Sequence, residues 1–241
     1  MVRKTKIEKF EKRISQNPKI VNLVTYHDNF SPYTEQYRTL GTNLETLCEK
    51  AAIKDIVITS SLKGEGKTTT SSNLAVIMAK AGFKTLLVDT DLRKPKVNQT
   101  FGLSKNPGLT NLLTTPKLNE EQVINTLPEV ENLSILCSGF IPSNPTELLN
   151  SNKMSKLIAK FREEYDFVIY DIPPVLMVTD ALIVSKKVDG TLIVVREQIS
   201  EKRAVKRTKQ LLDLADANIL GAVYNGGHAK EGDYYYYQYR Y

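Results

Sequence analysis

Six short apolar runs alternate with segments of helical pattern along most of this chain. The runs are IVITSS, TLLVD, LSILC, FVIYD, TLIVV and ILGAVYN, at residues 56–61, 85–89, 133–137, 167–171, 191–195 and 219–225. The segments expected to be helical are 68–82, 146–164, 179–188 and 200–216. Strands that are apolar on both faces are typical of parallel sheets covered by helices. The alternation therefore predicts an α/β fold with a mostly parallel central sheet and helices on both faces.

The chain's length and charge distribution indicate one domain with two different ends. A chain of 241 residues can bury one large core. Residues 1–20 hold seven Lys and Arg against two acidic residues, so we expect a solvated basic arm over 1–30. The folded domain is expected over 31–225, starting at a Ser-Pro pair typical of a helix start. Residues 226–241 are expected to form a flexible tail, because GGHAKEGD is rich in glycine.

Several classes of protein are disfavoured by the sequence. No apolar run approaches the ~20 residues of a transmembrane helix, and the basic start lacks the apolar segment of a secretory signal. Cys48 and Cys137 have neither metal-ligand nor redox-pair spacing. The net charge of +6 is moderate. We expect a cytoplasmic protein without a nucleic-acid partner.

A glycine-rich turn, SLKGEGKT, follows the first predicted strand. It matches the Walker A pattern at every fixed position except the first, where Ser61 replaces glycine. Glycines in such a turn let backbone N–H groups face a phosphate, and the positive end of the next helix adds to the effect. Lys67 is expected at the β- and γ-phosphates, and the Thr68 hydroxyl at Mg²⁺. The residues expected to bind nucleotide here are Lys63, Gly64, Glu65, Gly66, Lys67, Thr68 and Thr69.

Aspartates follow two further strands. Asp89 and Asp91 leave the second strand in DTDLRKP, and Asp171 ends a later strand in VIYDIPP, the Walker B arrangement. One carboxylate of the first pair could hold Mg²⁺, and the other could accept a hydroxyl proton. Ligands of parallel sheets bind beyond the carboxyl ends of the strands. The three motifs together therefore predict a P-loop nucleotide enzyme.

The last eight residues, YYYYQYRY, contain half of the chain's twelve tyrosines. An exposed aromatic cluster of this kind either docks on a protein surface or is itself a substrate. The tyrosines that would be modified in the second case are Tyr234, Tyr235, Tyr236, Tyr237, Tyr239 and Tyr241.

From about residue 31 to its C-terminus the chain resembles the bacterial tyrosine kinases (BY-kinases) of capsule and exopolysaccharide synthesis. The similarity lies in GEGKT, LLVDTDLRKP and VIYDIPP, and in the blocks PGLTNLL, NPTELLNS, TDALIVS and LGAVYN. The resemblance implies a P-loop fold and an ATP- and Mg²⁺-dependent autokinase that phosphorylates its C-terminal tyrosine cluster. It further implies regulation of polysaccharide synthesis and export.

Matching positions also imply residue roles. Lys67 would bind phosphate, and Asp89 is the expected base for the tyrosine proton, with the division of labour between Asp89 and Asp91 left open. Asn225 is expected to contact adenine. The implied Mg²⁺ ligands, direct or through water, are Thr68, Asp91 and Asp171.

The resemblance implies partners as well. A separate transmembrane activator would recruit the kinase to the inner face of the membrane, and a cognate tyrosine phosphatase and polysaccharide enzymes would be substrates. The family's self-association motif, ExxRxxR, here reads EQYRTLG, with Gly41 in the last place. Because the last guanidinium is lost, self-association through this motif is an open question, and Gly41→Arg is expected to strengthen it. The basic residues Lys202, Arg203, Lys206 and Arg207 are expected either to be solvated or to face a partner.

Two other functions remain open from the sequence. A MinD/ParA-type ATPase would share the fold, but that family carries a signature lysine where this chain has Leu62. A nucleotide-bound scaffold without kinase activity is disfavoured by the intact Lys67, Thr68 and three aspartates.

Overall fold

The computed structural model describes residues 23–226, which form a seven-stranded sheet flanked by helices. The strands are β1 (Asp55–Ser60), β2 (Thr85–Asp89), β3 (Ile124–Leu127), β4 (Val130–Leu136), β5 (Phe167–Asp171), β6 (Gly190–Arg196) and β7 (Ile219–Asn225). Their order across the sheet is β3-β4-β2-β5-β1-β6-β7. Only the β3–β4 pair is antiparallel in this sheet. The expected P-loop α/β fold is confirmed.

The helices cover both faces of this sheet. They are α1 (Val24–His27), α2 (Pro32–Ala51), α3 (Lys67–Lys80), α4 (Val97–Thr100), α5 (Leu109–Thr114), α6 (Pro145–Asn150), α7 (Asn152–Glu164), α8 (Asp180–Ser185) and α9 (Lys202–Leu214), with a single 3₁₀ turn at Glu120–Gln122. Within residues 23–226, none of the helices has both the length and the apolar character to cross a bilayer.

All six predicted strands are present, with ends shifted by at most three residues. The structure adds β3, an edge strand of sequence INTL that is only partly buried and therefore carries no strong apolar signal. The helix expected over 146–164 is two helices. They meet at Ser151, which ends α6 and whose side chain accepts a hydrogen bond from the Met154 N–H at the start of α7.

Two apolar cores lie on opposite faces of the sheet, which explains why its central strands are apolar throughout. Val57 of β1 belongs to one core, and its neighbours Ile56 and Ile58 belong to the other. Burying one such side chain contributes about 1.5–3 kcal/mol. Because β2, β5 and β1 are parallel neighbours in this sheet, their carboxyl ends lie side by side.

Helix α3 is almost fully buried and is contacted by α2 at Gly41. A Cβ atom at Gly41 would lie 2.9 Å from Cγ2 of Ile77 on α3. An arginine at this position would therefore point into α3 rather than towards a neighbouring molecule. On this geometry Gly41→Arg is expected to cost stability, so the expected gain in self-association does not follow.

The first described residues pack on the domain rather than preceding it. Leu23 and Thr25 are buried, and the Thr25 N–H donates to Oδ1 of Asn73 on α3 over 3.1 Å. Lys80 Nζ also donates to the Thr25 carbonyl over 2.6 Å. The described structure thus includes the last eight residues of the expected arm, 23–30, and Leu23 and Thr25 among them are packed on the domain. The rest of that arm and the tyrosine tail lie outside the described residues.

Candidate active site

The Walker-type side chains meet at the carboxyl ends of β1, β2 and β5. Strands β2 and β5 are neighbours in a register that places Asp89 opposite Asp171. The Thr68 hydroxyl donates to Oδ2 of Asp171 over 2.7 Å. Lys67 Nζ lies 3.0 Å from Oδ2 of Asp91 and 3.9 Å from Oδ1 of Asp171. The site therefore holds three carboxylates against one ammonium group.

Asp171 has an oxygen without a hydrogen-bond partner. Its Oδ1 atom is buried and accepts no hydrogen bond from the described residues. Burial raises the pKa of Asp171, although Lys67 and the Thr68 hydroxyl favour its charged form. Asp171 and Asp91 likewise favour the charged form of Lys67, and they raise its pKa although burial lowers it. A buried oxygen left open beside a hydroxyl and a second carboxylate fits a hard cation such as Mg²⁺.

Asp89, the last residue of β2, and Asp91, two residues later, are held by different hydrogen bonds. Asp89 is fully buried and accepts hydrogen bonds from two backbone N–H groups, those of Asp91 at 3.2 Å and Val97 at 3.1 Å. Asp91 accepts from the Lys94 N–H over 2.9 Å and directs its other oxygen to Lys67. Burial, followed by the charges of Asp171 and Asp91, raises the pKa of Asp89 well above its ordinary value.

The phosphate-binding loop has the conformation that its glycines permit. Gly64 and Gly66 have φ angles of +83° and +95°, in the left-handed region, and α3 begins directly afterwards at Lys67. Asn225, at the end of β7, donates from Nδ2 to the Glu65 carbonyl over 3.0 Å. A Cβ atom at Gly66 would collide with this amide. Asn225 is thus brought to the loop, whereas its expected contact with adenine stays a prediction.

The remaining predicted loop residues occupy three environments. The Lys63 side chain is exposed, Glu65 is fully buried and Thr69 is partly buried in the first turn of α3. Within residues 23–226, no three His, Cys, Asp or Glu side chains converge as a self-sufficient metal site. Mg²⁺ is commonly held by one or two carboxylates together with substrate phosphates and water, so the donor set still fits this ion.

Comparison with known proteins agrees with this geometry. A family model described as an AAA domain matches residues 53–217. Tyrosine-protein kinase YwqD of Bacillus subtilis (strain 168) is 41% identical over 217 residues, which cover 90% of this chain and 91% of that protein. The chain belongs to the bacterial tyrosine kinases. It is therefore an enzyme that transfers phosphate from ATP to protein tyrosine.

Solved structures share the fold of this kinase. The kinase domain of Escherichia coli tyrosine kinase ETK matches with a TM-score of 0.82 and 30% identity, covering 89% of this chain and 84% of that one. The chimerical protein CapA2B2 matches with a TM-score of 0.81 and 36% identity, covering 91% and 100%. The septum site-determining protein MinD of Pyrococcus horikoshii OT3, complexed with Mg-ADP, matches at 0.62 and 26% identity, covering 74% and 72%.

A cluster that the sequence did not predict supports the kinase's DTDLRKP loop. Arg93 donates to both carboxylate oxygens of the buried Asp180, at 2.8 and 3.1 Å, and to the Thr146 hydroxyl at 2.9 Å. Thr146 and Asp180 lie in two of the sequence blocks typical of the family. Residue type and spacing alone gave no sign that these three residues meet. The cluster ties the loop carrying Asp91 to α6 and α8.

Proposed function

We propose that this kinase phosphorylates tyrosines at its own C-terminus, using ATP and Mg²⁺, and thereby regulates capsular or exopolysaccharide synthesis and export. One observation carries the proposal: the strand that precedes the tyrosine tail ends against the phosphate-binding loop, where Asn225 contacts Glu65. Eight residue steps separate Gly226 from Tyr234, a reach of at most roughly 28 Å. Tail tyrosines can therefore approach the nucleotide site of this or a neighbouring molecule.

The site residues support phosphoryl transfer in named roles. Bound Mg²⁺ supplies charge neutralisation at the β- and γ-phosphates. Thr68, Asp91 and Asp171 would hold it, and the open Oδ1 of Asp171 supports this assignment. Lys67, which pairs with Asp91 in the structure, turns to the phosphate oxygens when nucleotide binds.

Asp89 takes the tyrosine proton in this proposal. Its pKa is raised by burial and by two neighbouring carboxylates, and a base works best when its pKa is near the operating pH. Two backbone N–H groups occupy only part of its acceptor capacity, because a carboxylate offers about four lone-pair sites.

A partner chain is part of the proposal. We expect a transmembrane activator to hold the kinase at the inner face of the cell membrane, and the similarity to a chimerical protein supports a two-component arrangement. Self-association through α2 would use the partly exposed Glu35–Arg38 ion pair. A tyrosine phosphatase and polysaccharide enzymes are the proposed external substrates.

The test is to incubate the pure protein with MgATP, with and without cytoplasmic tails of candidate activators, and to map phosphotyrosine by mass spectrometry. Lys67→Met should nearly abolish labelling, whereas Lys156→Met, an exposed lysine on α7, should label as the wild type does. Wild-type protein whose tail is never labelled in the presence of its activator would contradict the proposal. ATP hydrolysis without any phosphotyrosine would favour the MinD-like alternative.

A further inference from the structure

Glu65 places a buried carboxylate inside a loop that binds phosphate. The residue is fully buried, and no salt bridge joins it to a Lys or Arg of residues 23–226. A negative charge at this point opposes the binding of anions, and a buried charge without a cation is itself unfavourable. The side chain therefore needs a reason for its position other than its charge.

Its contacts provide that reason. Oε2 of Glu65 accepts a hydrogen bond from the Leu62 N–H over 2.8 Å, which closes the loop on itself. Oε1 accepts a hydrogen bond from the Ser200 hydroxyl. Ser200 is itself positioned, because its Oγ accepts from the Arg196 N–H over 2.8 Å. The Glu65 side chain thus joins two parts of the loop to the turn that follows β6.

Two further side chains from the same part of the chain contact this loop. We call residues 196–208 the brace segment. Arg196 Nη1 donates to the Gly64 carbonyl over 2.8 Å. The Thr208 hydroxyl donates to Oγ of Ser61 over 2.9 Å, and both residues are buried. Ser61 occupies the position where the Walker A pattern has its first glycine, so this departure is tied to α9.

We propose that Glu65 is a positioning residue, which acts as a hydrogen-bond acceptor and holds the phosphate-binding loop in its binding conformation through Ser200 of the brace segment. Its negative charge is not required. A loop ordered before nucleotide arrives loses less conformational freedom on binding, which favours affinity. The inference rests on the nucleotide site of the proposed function and not on tyrosine as the acceptor.

Two substitutions separate the hydrogen bonds from the charge. In Glu65→Gln the amide oxygen can accept from the Leu62 N–H, and the amide nitrogen can donate to Ser200 Oγ. Both connections then persist without the charge. Glu65→Ala removes both, and Ser200→Ala removes one while leaving Glu65 in place. Glu163→Ala, an exposed glutamate on α7, is the matched control.

The measurement is the Kd of a fluorescent ADP analogue, with and without Mg²⁺, for the full chain and these variants. Glu65→Ala should weaken binding roughly 10–100-fold, the range expected when two hydrogen bonds are lost together. Ser200→Ala should weaken it roughly 3–10-fold, since the Leu62 bond remains. Glu65→Gln should stay within about threefold of the wild type, because it keeps the geometry. In tyrosine phosphorylation the KM for ATP should rise in Glu65→Ala with kcat little changed.

Three outcomes would overturn the inference. Glu65→Gln binding as weakly as Glu65→Ala would mean that the charge matters. Wild-type affinity in both Glu65→Ala and Ser200→Ala would mean that the loop needs no brace, even if the kinase labels its tail. A wild-type protein that binds no analogue would remove the nucleotide site and this inference together. Weakened binding by Glu65→Ala would support the inference even if no tyrosine were ever labelled.

Discussion

Buried aspartates lie at both the amino ends and the carboxyl ends of the strands, but their hydrogen-bond partners differ between the two. At the amino end, Asp55 of β1 receives three hydrogen-bonding contacts of 2.9–3.2 Å from the Arg162 guanidinium and one of 2.7 Å from the Asp189 N–H. Arg162 also lies 3.2 Å from Oδ1 of Asp189. At the carboxyl end, three aspartates share Lys67, and one oxygen of Asp171 has no hydrogen bond.

The difference indicates what each end is for. At the amino end, the Arg162 guanidinium and backbone N–H groups occupy the oxygens of both carboxylates, so this network serves the fold. The carboxyl end has excess negative charge and an open acceptor, which fits the proposed binding of a cation together with a nucleotide. Perturbed and unmatched groups of this kind cluster at functional sites. Four predictions test the contrast.

The largest effect is expected at the carboxyl end, on catalysis. Asp89→Asn should lower tyrosine phosphorylation by about 10²–10⁴, or roughly 3–5 kcal/mol in barrier height, because a positioned base is lost. MgATP affinity should change much less. Kinetics with the activator present, together with nucleotide binding, provide the measurement. If Asp89→Asn loses MgATP binding as severely as Asp91→Asn, Asp89 is a metal ligand and the assignment is wrong.

The next effect is expected at the amino end, on stability. Arg162→Met should lower the free energy of unfolding by about 3–4 kcal/mol, because it leaves Asp55 buried without its cation. Removing one partner of a buried ion pair typically costs about 3–5 kcal/mol. We expect the lower part of that range here, because the Arg162 side chain is 36% exposed. Urea unfolding measures the change, and Lys156→Met on the same helix is the control. The Kd for nucleotide should stay unchanged in Arg162→Met. A large rise would show that the amino-end network and the nucleotide site are coupled.

The third prediction concerns pH. Burial raises the pKa of Asp55 to about 6, despite the hydrogen bond from Asp189 and the charge of Arg162. Because the folded-state pKa exceeds the unfolded one, this group's contribution to stability is complete below about pH 4 and is lost as pH rises to about 6. The difference in unfolding free energy between wild type and Asp55→Asn should therefore change by about 2–3 kcal/mol across this window. If the difference in unfolding free energy between wild type and Asp55→Asn does not vary with pH, the raised pKa of Asp55 is contradicted.

The smallest effect is expected at the carboxyl end, and it is a gain in the free energy of unfolding rather than a loss. Asp171→Asn removes one of three crowded carboxylates and keeps an acceptor for Thr68. In the absence of nucleotide it should raise the free energy of unfolding by roughly 1 kcal/mol, while Mg²⁺-dependent nucleotide binding is impaired. Thermal unfolding with and without Mg-ADP measures both. A loss of stability without ligand would mean that Asp171 serves the fold as Asp55 does.

The parts of the site predicted from sequence are those whose signal is local. GEGKT combines the glycines, the lysine and the threonine in one short stretch, and its conformation and position at the start of α3 are as expected. Asp171 was predicted as a site residue because an apolar strand ends in it, and the structure places it beside Thr68 and Lys67. The edge strand β3 was missed because INTL is half-exposed and pairs antiparallel with its neighbour in sequence.

By itself, then, the sequence determined six of the seven strands, the phosphate-binding loop, and the strand ends at which the aspartates gather. These follow from apolar runs and from the rule that parallel strands present their carboxyl ends together. Only the tertiary structure decided which polar groups form hydrogen bonds and ion pairs with one another. Ser200 reaches Glu65 across 135 positions, and Arg162 reaches Asp55 across 107. Hydrogen bonds and ion pairs act over a few ångströms, so which residues form them depends on how the helices pack and not on spacing along the chain.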